Sequence, residues 1–315
     1  MKDLHAALAD YVAARRALGS QFRWPASLLR RFVDFLDQEG ATFITTELAV
    51  RWATEPVDVQ RATHAGRLSL VRRFAAWLSV FDARTQVPPR RLLRAYHRRN
   101  TPHIYTDQEI LSLMAEAARL PSSKGLHAQT HVTLVGLLAA TGLRPGEALA
   151  LDARDVDLQN GILTIRQTKF GKSRFVPLDE TTRVALTQYV ERRDAAVRRL
   201  RTAAFLITER GTRLNKLATR RTFAKVSCAV GLRAPMGGRR IGWGPRLQDL
   251  RHTFATRRLI EWYRAGCDVE RELPKLAMYL GHARIANTYW YLQAVPELLQ
   301  LATERCASRR GEDSR

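Results

Sequence analysis

ILTIRQTKFGKSRFVPL, residues 162–178, holds two β-rich runs separated by a few small and polar residues. Ile162, Leu163, Thr164 and Ile165 suit a pleated, half-buried surface, and so do Phe175 and Val176. With the short FGK turn between them, the spacing predicts a β-hairpin. FGKS, residues 170–173, ends like a phosphate-binding P-loop. That pattern needs a glycine five residues before Gly171, where Arg166 stands. The segment is therefore a hairpin turn.

Outward from the hairpin the chain reads as helix. HVTLVGLLAATG, residues 131–142, is apolar on every face and predicts a buried helix. GLRPGEALAL follows, with Pro145 suited to a first helical turn. Further back, Thr106 and Glu109 of TDQE form a capping box and mark a helix start. Helices are expected from about residue 179 onward, interrupted by a strand at AAFLIT, residues 203–208. GLRAPMGGRRIGWGPR, residues 231–246, is Gly-rich and without periodicity, hence a loop. VPELLQLATERCA, residues 295–307, is a last amphipathic helix.

The first hundred residues carry helical periodicity only. Leu4, Leu8, Tyr11 and Val12 share one face, as do Leu28, Leu29, Phe32, Phe35 and Leu36, with Gly19 and Gly40 placed to end the two helices. TTELAVRWATE and AGRLSLVRRFAAWLSVF add two more. The fold class is mainly α with a small β-hairpin. Residues 1–86 form a helical bundle, residues 87–103 a basic linker, and residues 104–315 an α+β domain with a C-terminal helix.

The formal net charge of +22, from 52 Lys and Arg against 30 Asp and Glu in 315 residues, points to a polyanionic partner. The excess is spread along the chain: residues 1–103 hold 17 basic and 9 acidic side chains. Double-stranded DNA is the expected partner. Its contacts are expected from Arg67, Arg72 and Arg73 in the bundle and from Arg90, Arg91, Arg94, Arg98 and Arg99 in the linker. Lys172, Arg174, Arg239 and Arg240 are expected to add to them. The three cysteines, Cys228, Cys267 and Cys306, fit neither a disulfide framework nor metal-ligand spacing. No signal peptide and no membrane-length apolar run is visible, so a cytoplasmic, nucleoid-associated protein is expected. No metal or cofactor is expected.

Four separated segments converge on one chemistry. TGLRPGE holds Arg144 and Glu147; RQTKFGK holds Lys169; LQDLRHTFAT holds Gln248, Arg251 and His252; LGHARIANTYWY holds His282, Tyr289 and Tyr291. Together, in this order, they resemble the tyrosine recombinase, or phage integrase, family from about Thr106 to Gln293. The resemblance implies a catalytic set of Arg144, Lys169, Arg251, His282 and a nucleophilic Tyr291, nine residues after His282. It also implies orienting roles for Glu147 and His252. One departure is plain: Gln248 stands where the family usually has His, three residues before Arg251. On a helix Tyr289 and Tyr291 would point roughly 200° apart, so one of them serves packing.

The implied activity is site-specific recombination, as integrase or transposase, through a covalent 3′-phosphotyrosine. A homotetramer on paired sites and accessory recombinases are expected with it. A DNA-binding protein weak or inactive in catalysis, or a type IB topoisomerase-like enzyme, is the alternative.

Overall fold

The computed structural model describes residues 3–57, 59–93, 101–166, 173–234 and 244–281. The chain separates into two compact units, Met1–Asn100 and Thr101–Arg315.

Among the described residues the first unit holds four helices: α1 (Leu4–Ala17), α2 (Arg23–Gln38), α3 (Thr46–Thr54) and α4 (Arg61–Leu78). Their apolar positions meet in one core. Leu4, Leu8 and Tyr11 of α1 lie against Leu29, Phe32, Val33 and Leu36 of α2, Trp52 of α3, and Leu68, Val71 and Phe74 of α4. Ring contacts link the helices in pairs, Tyr11 to Phe74 at 5.3 Å and Phe32 to Trp52 at 5.1 Å between centroids. Val12, Leu28 and Phe35 sit at the core's edge, half-buried. Thr45 caps α3 by accepting from the Leu48 amide at 3.2 Å.

The second unit opens with α5 (Asp107–Ala118), whose capping box between Thr106 and Glu109 is formed. α6 (Leu126–Thr141) is buried on all sides and runs through the core. It stops at Gly142, whose φ of 61° is left-handed and where a Cβ would lie 2.5 Å from the Phe254 ring. α7 (Pro145–Ala150) follows with Pro145 in its first turn, then a 3₁₀ turn at Ala153–Asp155.

The hairpin forms and gains a third strand. β1 (Val156–Asp157), β2 (Ile162–Ile165) and β3 (Arg174–Pro177) lie antiparallel in that order, with Ile162 opposite Pro177 and Ile165 opposite Arg174. Leu163, Ile165 and Val176 face the core, while Phe175 points to solvent. α8 (Glu180–Ala196), α9 (Lys216–Ala229), α10 (Leu247–Arg264) and α11 (Val269–Leu280) complete the described elements. AAFLIT is not a strand of this sheet. It is a buried connector with two isolated bridges, Asp152 to Ala204 and Ile207 to Arg213. Its apolar run fills the core, and its backbone pairs only briefly with the loops at Leu151–Ala153 and Thr212–Arg213. No helix of the described residues is long and apolar enough to cross a membrane.

Candidate active site

Two turns and a helix that are remote in sequence meet at the C-terminal end of α11. The Gly142 turn delivers Arg144 as the residue before α7, in an extended conformation with φ of −68° and ψ of 140°. Three residues on, the Glu147 carboxylate reaches back to accept from the Arg144 amide at 3.1 Å and from its guanidinium Nη1 at 2.6 Å. The opposite corner of that guanidinium, Nη2, donates to the Gly281 carbonyl at 2.9 Å. Arg144 is thus pinned at both ends yet stays about one-third exposed.

Arg251 arrives from α10, one turn into the helix, with 1% of its surface accessible. Its Nη1 donates to the Gly142 carbonyl at 2.9 Å and its Nη2 to the Leu280 carbonyl at 2.5 Å. The two arginines, 107 positions apart, therefore hold adjacent carbonyls of one turn, and His282 is the next residue along the chain. Gln248 lies one turn before Arg251 on α10 and is half-buried. His252 is also half-buried. Burial drives its imidazole down to about 4, against the opposing pull of Asp249, so the ring is neutral at physiological pH.

Glu147 stays ionised for a specific reason. Burial alone would raise its carboxyl, but the hydrogen bonds and charge of Arg174, with Arg144 adding to them, hold it below the usual range. Arg174 departs from expectation here. It was expected to face DNA, but on β3 it shares the inward side with Val176, and its side chain is only 11% exposed. Strand alternation was the signal for this: a buried Val176 places Arg174 on the same face.

Arg67 also turns inward. Its guanidinium stacks over the Trp52 ring at 3.8 Å and donates to the Trp52 carbonyl, serving the bundle core rather than a surface. Arg72 is half-buried and donates to Ser69 Oγ at 3.0 Å. Arg73, Arg90 and Arg91 are exposed. Lys169, Lys172, Arg94, Arg98, Arg99, Arg239, Arg240, His282, Tyr289, Tyr291 and the helix predicted at residues 295–307 lie outside the described residues. A basic feature not singled out from the sequence is a hollow of about 500 Å³ lined by Lys124, Arg198, Arg199, Arg201 and Arg210 together with Glu209, its sequence signal being the arginines at 198–201.

Chemically, the site offers a guanidinium with donors to spare, a second buried guanidinium beneath it, and an amide close by. That set suits an oxyanion with charge spread over several oxygens.

The phage integrase family model matches residues 104–297. The chain is 41% identical to putative integrase/recombinase y4rB of Sinorhizobium fredii over 317 residues, which cover 99% of each. It is 30% identical to tyrosine recombinase XerC of Mycobacterium tuberculosis over 286 residues, 89% of this chain and 90% of that one. Among solved structures, the Tn1549 transposon integrase in complex with transposon right end DNA matches with a TM-score of 0.65 at 16% identity, over 96% of this chain and 98% of the other. The XerH site-specific recombinase in its post-cleavage complex with a palindromic difH substrate matches at 0.61 and 18% identity, over 89% and 77%. At these identities the two structures speak for the fold. The family model and the sequence relatives speak for descent: the chain belongs to the phage integrase family, the tyrosine recombinases.

Proposed function

We propose that this chain is a site-specific recombinase that cuts and rejoins duplex DNA by transesterification through Tyr291. The observation that carries the reading is the convergence of Arg144 and Arg251 on the adjacent Leu280 and Gly281 carbonyls, immediately before His282. It gathers three of the four motif segments at one point.

The phenol oxygen of Tyr291 attacks the scissile phosphorus. A P–O bond forms to tyrosine as the bond to the 5′ oxygen breaks, so bond energy is conserved and no ATP is needed. An ordinary tyrosine holds its proton up to pH ~10, so that proton passes to water as the P–O bond forms, in a positive field. Arg144 meets the non-bridging oxygens directly with its remaining donors. Arg251 joins by exchanging the Leu280 carbonyl for a phosphate oxygen, a stronger, charged acceptor. Both oppose the negative charge that builds in the pentavalent transition state. Lys169 protonates the departing 5′ oxygen, and His282 hydrogen-bonds the phosphate. Gln248 donates a hydrogen bond but cannot exchange a proton near neutral pH, so it slows the reaction without stopping it. A 5′-hydroxyl from the partner duplex reverses the steps.

Further contacts to the DNA backbone come from Arg73, Arg90 and Arg91, which are exposed. The assembly is a homotetramer on paired sites, with accessory recombinases as possible partners in it. The similarity to tyrosine recombinase XerC, and to integrase and XerH structures in complex with DNA, supports DNA as the substrate.

The test is trapping on a nicked suicide substrate made from the DNA ends that flank the chain's encoding locus. Wild type should give an SDS-resistant protein–DNA adduct, Tyr289→Phe should retain it, and Tyr291→Phe should lose it. In the same assay Gln248→His should cleave faster, by about 10²-fold, the low end of the range for general acid–base assistance. Absence of adduct from the wild type on its cognate ends would leave a DNA-binding protein. Supercoil relaxation without paired sites would favour the topoisomerase-like reading.

A further inference from the structure

Arg174 occupies a junction that the recombination chemistry does not by itself require. Its Nε donates to the Tyr279 carbonyl at 2.7 Å, in the last turn of α11. Its Nη2 donates to Glu147 Oε2 at 2.7 Å, and its Nη1 approaches Glu147 Oε1 at 3.3 Å. The same two carboxylate oxygens receive the amide and the Nη1 of Arg144. One carboxylate is therefore shared between two guanidiniums, one turned inward and the other partly open to solvent. Gly281 is fitted to the arrangement. Its φ is 68°, and a Cβ there would stand 2.8 Å from Arg174 Nη1.

Charge counting shows why two cations are needed. Glu147 alone would fix Arg144 in place but also cancel its charge, leaving a nearly neutral pair to face a phosphate. A second, buried cation on the far side of the carboxylate offsets that cancellation and leaves the cluster with a net positive charge. Arg144 then keeps both its orientation and its pull on an anion. Arg174 sits on β3, five residues after Lys169 in the hairpin, so the same bonds tie the hairpin to the turn that precedes His282.

We propose that Arg174 is a positioning residue for strand cleavage: it acts through Glu147 to keep the Arg144 guanidinium aimed and the cluster net positive, and it docks the hairpin on the end of α11. The inference rests on the recombinase reading above. It assigns Arg174 a role in rate rather than in DNA affinity.

The experiment is single-turnover cleavage of the suicide substrate by the full chain, with DNA affinity measured separately by titration. Arg174→Gln should lower the cleavage rate on the order of 10²-fold, the scale for losing one oriented donor to a transition state. Its Kd for DNA should stay within about threefold, because many other cations neutralise phosphate. Adding Glu147→Gln to that variant should recover about tenfold in rate, since an amide no longer cancels Arg144. Arg174→Lys should fall between wild type and Arg174→Gln, keeping the charge but not the three-way geometry. Should Arg174→Gln fail to fold, as judged by its melting transition, Arg174→Lys with and without Glu147→Gln carries the comparison. Cleavage by Arg174→Gln at the wild-type rate overturns the proposal, as does equal loss of rate and affinity, or a double variant no faster than the single one. Wild type without adduct would instead sink the recombinase reading, so the two failures are distinguishable.

Discussion

Arg67 in the N-terminal unit and Arg251 in the C-terminal unit are both withdrawn from solvent, but they hold different things. Arg67 lies on Trp52, donates to that residue's carbonyl and stands near Glu55, all three partners within 15 positions of it. Arg251 reaches Gly142, 109 positions away, and Leu280, 29 positions away, and both acceptors are backbone. The first guanidinium fills a helix–helix seam with a flat cation. The second replaces a core contact with a clamp on two functional turns. Of these two buried arginines one thus does local packing and the other long-range assembly, and only the second kind should matter to chemistry.

The largest test of that contrast is Arg251→Ala. It leaves two buried carbonyls without their donor and opens a void where the side chain lay, at a cost of about 3–5 kcal/mol to the C-terminal unit. Cleavage should be abolished, and Arg251→Lys should restore more of the thermal stability than of the cleavage. A variant that cleaves normally would mean the Leu280–Gly281 turn needs no clamp. Arg67→Ala is the matched control, expected to cost about 1–2 kcal/mol from the lost ring stacking and hydrogen bond. Measured by peptide-resolved hydrogen exchange in urea, that loss should fall on α3 and α4, with the rate of adduct formation on saturating DNA unchanged. Slower chemistry in Arg67→Ala would break the distinction between the two arginines.

The same contrast decides what could be read from the sequence. Signals carried by neighbours in the chain were legible: the Thr106–Glu109 box, Pro145 at the head of α7, the hairpin, and the apolar faces of the four N-terminal helices. β1 was not, because Val156 and Asp157 are a strand only by pairing with Leu163 and Ile162. AAFLIT misled because an apolar run looks the same whether it joins a sheet or crosses a core. In the site, the resemblance to the tyrosine recombinases named Arg144, Glu147 and Arg251, but a motif does not say which bonds they make. Arg174 was read as one more basic residue in a basic chain. Its true setting depends on Glu147 and Tyr279, 27 and 105 positions away, and only folding brings these together.

The smallest effect expected is a difference in how the two units answer to pH. In the C-terminal unit burial holds the His252 imidazole down at about 4, and burial also lowers that of His131. Between pH 6.5 and 4 the unfolded chain takes up a proton at His252 that the folded unit refuses, so stability falls as the pH drops. In the N-terminal unit His5 is shifted the other way. Its hydrogen bond to Asp37, at 2.6 Å, favours the charged ring over a weaker opposing desolvation. That contribution is complete below pH 6.5 and is lost as the pH rises through the raised value. Hydrogen exchange in urea at pH 5 and pH 8, corrected for intrinsic rates, should therefore show the C-terminal unit losing about 1–2 kcal/mol at the lower pH. The N-terminal unit should lose a smaller amount at the higher one. His252→Gln should shrink the first change and leave the second, and His5→Gln should do the reverse. Parallel responses in both units, or a His252→Gln chain as acid-sensitive as wild type, would show that histidine burial does not separate them.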